Sequence, residues 1–190
     1  HKCGHDGHSA CLAALGLEVD QRGADKNVFL LFQHAEETGD GAKICTALFQ
    51  EEQIDEIFAF HNRPGIPLGV VQLLDGTIYC GSEGMILDFQ GIPSHAAMPE
   101  LGRNPAYAIA EIISALPQLQ NPVLYRGLVL ATIIQVDVGE RAFGTQASRG
   151  KLLLTIRGEF EEDLRRLRGT LGQFARERAD AWGLGLQIDA

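Results

Sequence analysis

Residues 161–182 read EEDLRRLRGTLGQFARERADAW, and their spacing decides the fold of the second half of the chain. Leu164, Leu167, Leu171, Phe174 and Trp182 recur on one face of an α-helix. Arg165, Arg166 and Arg168 then form a solvated face. Working outward, residues 151–157 (KLLLTIR) and 184–188 (LGLQI) read as flanking strands, and 128–138 as a third. Asn104-Pro105 announces a second helix, with an N-cap followed by Pro at the first helical position. That helix puts Ile109, Ile112, Ile113 and Leu116 on one face. Residues 85–91 (MILDFQG) supply the first strand. The resulting order, β-α-β-β-α-β, is that of a split βαβ or ferredoxin-like unit.

The first half has another rhythm. Residues 9–17 (SACLAALGL) read as a helix ending at Gly16 or Gly23, and 27–33 (NVFLLFQ) as a buried strand. Ala42, Ile44, Leu48 and Phe49 have helical spacing within 39–50, and 54–61 (IDEIFAFH) reads as a second strand. Strand, helix, strand implies an α/β layer, in which function collects at the carboxyl ends of strands. The fold expected is therefore α/β: a strand-helix-strand layer over residues 1–85 and a ferredoxin-like βαββαβ unit over 86–190.

Composition narrows the function. The 190 residues hold 16 basic and 25 acidic side chains, a formal net charge of −9, so nucleic acid and anionic membrane surfaces are poor partners. No apolar run reaches the roughly 18 residues of a membrane span. Four cysteines, at 3, 11, 45 and 80, are too sparse for a disulfide framework and suit a reducing, cytoplasmic setting. Cys11, Cys45 and Cys80 lie in apolar contexts and read as small core residues. The chain opens at His1 on a dense polar cluster, without Met, and is expected to be part of something longer.

Three segments concentrate metal-binding chemistry. In Cys3-Gly4-His5-Asp6-Gly7-His8 a thiolate and an imidazole two residues apart can reach one ion, with glycines that let the backbone come close. In His34-Ala35-Glu36-Glu37 two adjacent carboxylates need a cation or a proton between them, one as ligand and the other as general base. Taken alone, that segment suits an acidic helix start equally well. His61, followed by Asn62, ends the second strand; by itself it fits a hydrogen-bonded loop histidine. One sheet would align all three segments along a single edge. His95, in the loop before the capped helix, has no role that its own surroundings assign.

The segments HKCGHDGH, QHAEETGDGA, FHNRPGIPLG and GIPSHAAMPELGRNP, in that order, resemble the co-catalytic metal hydrolases that include aminoacylases, hippurate hydrolases and auxin-conjugate hydrolases. The resemblance implies that Cys3, His5, Glu37 and His61 are metal ligands, with Cys3 bridging two divalent transition metal ions. Zinc is the ion expected, with manganese, cobalt or nickel as alternatives. It implies that Glu36 is the general base and that His95 reaches a partner subunit's site to hold the developing oxyanion. The reaction implied is hydrolysis of the amide bond of an N-acyl amino acid by a metal-bound hydroxide. The same resemblance makes residues 1–85 a partial zinc-peptidase-like catalytic layer and 86–190 a lid or dimerisation domain, through which a homodimer forms. Two alternatives stand beside it: a dipeptidase or carboxypeptidase of the same superfamily acting on a peptide-like substrate, and a non-catalytic dimerisation or binding module. His34 stands where relatives usually carry Pro, and Gly144 where many carry Asn. An acidic strand motif before Cys3 and a late histidine ligand are not present in these residues, so the chain alone is expected to be inactive.

Overall fold

A computed structural model of the chain describes residues 3–190, so His1 and Lys2 of the first polar segment lie outside the described residues. The chain divides into two compact units, residues 1–72 and 73–190.

The second unit carries the sheet. Strands β1 (Gly81–Gln90), β2 (Val129–Val138), β3 (Arg149–Gly158) and β4 (Gly185–Asp189) pair antiparallel in the order β2-β3-β1-β4. Two long helices belong to this unit, Pro105–Leu119 between β1 and β2, and Glu161–Trp182 between β3 and β4. This is the β-α-β-β-α-β order expected from the sequence. β1 begins at Gly81 rather than Met85, because its first rungs, Gly81 opposite Gly158 and Ser82 opposite Arg157, need only backbone hydrogen bonds.

Alternation builds the core. Met85, Leu87 and Phe89 of β1 and Leu152, Leu154 and Ile156 of β3 all point to one buried face, and the register sets Met85 opposite Leu154 and Leu87 opposite Leu152. Ile109, Ile112 and Leu116 from one helix, and Leu164, Leu167 and Leu171 from the other, cover that face. Asn104 caps the first helix by accepting from the Ala106 amide at 3.0 Å. Gly150 lets this helix lie close to β3, since a Cβ there would stand 2.8 Å from Ile109 Cδ1.

The polar ends of the helices depart from the sequence reading in two places. Trp182 is not a core residue but 36% exposed; it stacks on Tyr107 at 4.7 Å and its indole donates to Glu111 at 3.1 Å. Arg168 reaches across to Glu83 of β1 at 3.1 Å instead of standing free in solvent. Asp163, 6% exposed, accepts from the amides of Arg126 (3.0 Å) and Gly127 (2.8 Å) and so fixes the turn before β2.

The first unit holds α1 (His5–Arg22), a 3₁₀ turn (Glu36–Thr38), α2 (Asp40–Cys45) and α3 (Leu48–Glu51). The two helices of the second unit are accordingly α4 and α5. α1 starts just before residues 9–17 and runs to Gly23, which ends it with a left-handed φ of 75°. The two strands expected at 27–33 and 54–61 do not form: both segments are without regular secondary structure, and Phe29, Phe32, Ile57 and Phe58 are exposed. A buried strand needs a hydrogen-bonding neighbour and a covering layer. Among the described residues of this unit neither is supplied. The same shortage corrects two of the cysteines, Cys11 being exposed and Cys45 half-buried; Cys80, just before β1 in the second unit, is also half-buried rather than core.

Candidate metal centre

The donor cluster is assembled in the first unit from three stretches that no sheet aligns. The first is the start of α1. Gly4 takes a left-handed φ of 73°, a conformation open to glycine, and turns the chain so that Cys3 precedes the helix while His5 begins it. His8 follows one turn later on the same side.

The second stretch is residues 34–40. Ala35 has φ 50°, left-handed for a residue with a side chain, and Thr38 Oγ1 braces the turn with its one proton shared between the Ala35 carbonyl (3.2 Å) and an Asp40 carboxylate oxygen (2.9 Å). Buried Gly41 closes the loop from behind, since a Cβ there would collide with the His34 carbonyl oxygen. The outcome is that Glu36 and Glu37 both approach one imidazole: His5 Nδ1 lies 3.3 Å from a carboxylate oxygen of each. His34 itself is exposed.

The third stretch is 60–62. The His61 ring lies 5.6 Å from that of His5 and 4.5 Å from that of His8. His61 Nδ1 is 2.8 Å from the Asn62 carbonyl oxygen, which can only accept, so Nδ1 carries the proton and Nε2 keeps its lone pair.

Two overlapping donor sets emerge. Ligand atoms of Cys3, His5 and Glu37 lie within 4.8 Å of one another, and so do those of His5, His8 and His61. Donors at about 2.0–2.3 Å from a tetrahedral ion stand about 3.3–3.8 Å apart, so closing by no more than about 1.5 Å would suffice. Thiolate, imidazole and carboxylate together suit a borderline transition metal rather than magnesium or calcium. All four expected ligands and Glu36 are in this cluster. Asn62 and His8 were not singled out as site residues; the signal for His8 is its place three residues after His5 on a helix.

His95 belongs to the second unit and is exposed. Its backbone bridges Thr145, the Ala96 amide donates to the Gly144 carbonyl at 3.0 Å, and Gln146 Nε2 donates to Ser94 Oγ at 2.6 Å. The His95 loop and the loop around Gly144 are therefore one hydrogen-bonded structure.

Residues 1–169 match the Peptidase family M20/M25/M40. The chain belongs to that family. This M20 chain is 34% identical over 119 residues to N-acetyldiaminopimelate deacetylase of Leuconostoc mesenteroides, covering 61% of this chain and 31% of that protein. It is 36% identical over 118 residues to N-acetyl-L-cysteine deacetylase of Bacillus subtilis, covering 61% and 28%. The chain thus aligns with about a third or less of the length of these relatives. Among solved structures, the YXEP protein of Bacillus subtilis, a dinuclear metal binding peptidase from the M20 family, matches with a TM-score of 0.72 at 22% identity, over 100% of this chain and 48% of that one. The fold is therefore shared. Among the described residues no helix is long and apolar enough to cross a membrane.

Proposed function

We propose that this chain carries most of the catalytic centre of a metal-dependent amidohydrolase that cleaves the amide bond of N-acyl amino acids. The observation that carries the reading is the pair of carboxylates, Glu36 and Glu37, set on one imidazole of a cluster that also holds a thiolate and a second ligand-ready histidine. The deacetylase names of the relatives support the same substrate class. Cys3, His5, Glu37 and His61 would hold two divalent transition metal ions, zinc foremost, which when bound polarise an acyl carbonyl and acidify a water molecule.

The rest falls to the chain's own groups. Of the two carboxylates, Glu37 is the ligand, and Glu36 takes the proton of the attacking water and returns it to the leaving nitrogen. His95 donates to the developing oxyanion from a second copy of the chain, across a dimer made by the lid, residues 86–190. The ionised carboxylate of Glu36 is needed for the first step and its conjugate acid for the second. A glutamine of equal size does neither.

The test is hydrolysis of N-acetyl amino acids and hippurate by the full-length protein, with metal analysis of the same samples. Glu36→Gln is expected to keep its metal and lose about 10³-fold in kcat. Retained turnover in that variant would refute the role of Glu36. A metal-free, inactive wild-type protein would instead favour the non-catalytic binding module.

A further inference from the structure

We propose that His8 and Asn62 form a clamp that sets His61 opposite His5, which makes His8 a positioning residue for the metal centre and not one of its ligands. The inference rests on the metal-dependent reading above and concerns residues that reading leaves without a role.

His5 and His61 stand 56 positions apart (61 − 5) on separate, largely exposed segments, so something must hold them face to face. α1 carries His5 and, on the same side, His8. The His8 ring meets His61 edge-on at 4.5 Å and Phe60 edge-on at 5.4 Å, so it lies against the two residues that precede Asn62. Asn62 completes the grip. Its backbone N–H donates to His8 Nε2 at 3.0 Å, and its carboxamide Oδ1 stands 2.7 Å from the same nitrogen.

That double contact fixes the chemistry of the ring. A backbone N–H can only donate, so Nε2 is an acceptor and the single proton of the neutral imidazole sits on Nδ1. Oδ1 and Nδ2 of a carboxamide exchange places by a half-turn, and a nitrogen that accepts the backbone N–H cannot also donate to Oδ1. The carboxamide is therefore assigned with its NH₂ toward the ring, and the two N–H groups share the Nε2 lone pair. With the Nε2 lone pair held by Asn62 and Nδ1 protonated, neither nitrogen of His8 is left to bind an ion. His61 is the reverse case: its Nδ1 donates to the Asn62 carbonyl at 2.8 Å, which leaves Nε2 open. One residue, Asn62, thus closes His8 to the metal and aims His61 at it.

Gly4 provides the other jaw. It lies between Cys3 and His5, and a Cβ on it would stand 3.2–3.4 Å from the atoms of the Asn62 carboxamide, whichever way that group is turned. The Asn62 carboxamide therefore sits between the turn that carries two ligands and the ring of His8. Partners that orient a ligating histidine characteristically change metal affinity about 10–100-fold when removed.

The experiment is a Co²⁺ titration of the metal-free full-length protein, followed by the d–d bands and the thiolate charge-transfer band. His8→Ala and Asn62→Ala are each expected to weaken Co²⁺ binding about 10–100-fold with the band positions unchanged. His8→Gln, whose side-chain oxygen can accept the Asn62 N–H, is expected to recover most of the affinity. Wild-type affinity in His8→Ala overturns the clamp. Bands shifted to fewer nitrogen donors in His8→Gln overturn it too, by making His8 a ligand. A wild-type protein that takes up no Co²⁺ overturns the metal reading along with the clamp, so the two failures are told apart.

Discussion

Asp163 offers a sharp test of how the second unit is held together. Its Oδ2 accepts two backbone N–H groups, from Arg126 at 3.0 Å and Gly127 at 2.8 Å, while the residue is 6% exposed. In Asp163→Ala both donors lose their acceptor. Each orphaned N–H costs about 1–3 kcal/mol, and because Arg126 is exposed and water can reach its amide, the sum is set at about 3 kcal/mol. Asp163→Asn keeps an oxygen acceptor in place and gives up only the charge-assisted share, about 1 kcal/mol. Urea unfolding followed by far-UV circular dichroism reads both. With a slope of about 2 kcal/mol per molar, the alanine variant should unfold about 1.5 M earlier than wild type and the asparagine variant about 0.5 M earlier. Equal midpoints for the two variants, or an alanine shift under about 0.3 M, would refute the claim that this oxygen holds the turn before β2.

Two further outcomes follow from the same unit. Leu167 is fully buried between α5 and the sheet, so Leu167→Ala should lower unfolding free energy by about 3 kcal/mol; a loss below about 1 kcal/mol would mean that the site collapses around the cavity. Burial raises the Tyr125 phenol above its ordinary value, with the Thr170 hydrogen bond and Arg166 pulling the other way. A raised folded value means stability that is complete below the unfolded pKa, near 10, and is lost as pH climbs through the folded one. Tyr125→Phe loses the 2.6 Å bond to the Leu119 carbonyl, about 1 kcal/mol at pH 8, and its deficit against wild type should shrink by pH 10.5 in urea titrations. A deficit that stays constant across that range would contradict the assignment.

The second unit was legible because its signals are local. The stripe of Leu164, Leu167 and Leu171, the Asn104-Pro105 cap and the alternation of Met85, Leu87 and Phe89 each specify one element, and together they leave one chain order. The strands at 27–33 and 54–61 were misread for the opposite reason. NVFLLFQ has the composition of a buried strand, but a strand is made by its neighbours, and composition carries no record of whether they are there. Within the cluster, donor density marks the three segments, but it is the family resemblance of the motifs that singles out Cys3, His5, Glu37 and His61 as ligands and Glu36 as base. Alone, the Glu pair also fits an acidic helix start and His61 a loop histidine. The division between His8 and His61 could not be read from sequence, since both are histidines near other ligands. It depends on which nitrogen a neighbouring N–H or carbonyl occupies, a matter of ångströms.

Among the described residues every buried apolar side chain lies at Met85 or beyond, whereas Cys3, Glu36, Glu37 and His61 are all exposed. The part of the chain that resists unfolding and the part that gathers donors are thus separate stretches of sequence. Selection for heat or protease resistance would hold Leu87, Leu167 and Ile156 in place and leave the donors free to drift. Selection for metal retention would do the opposite, and crossing the two selections on one library would sort the chain into its two kinds of residue without reference to any structure.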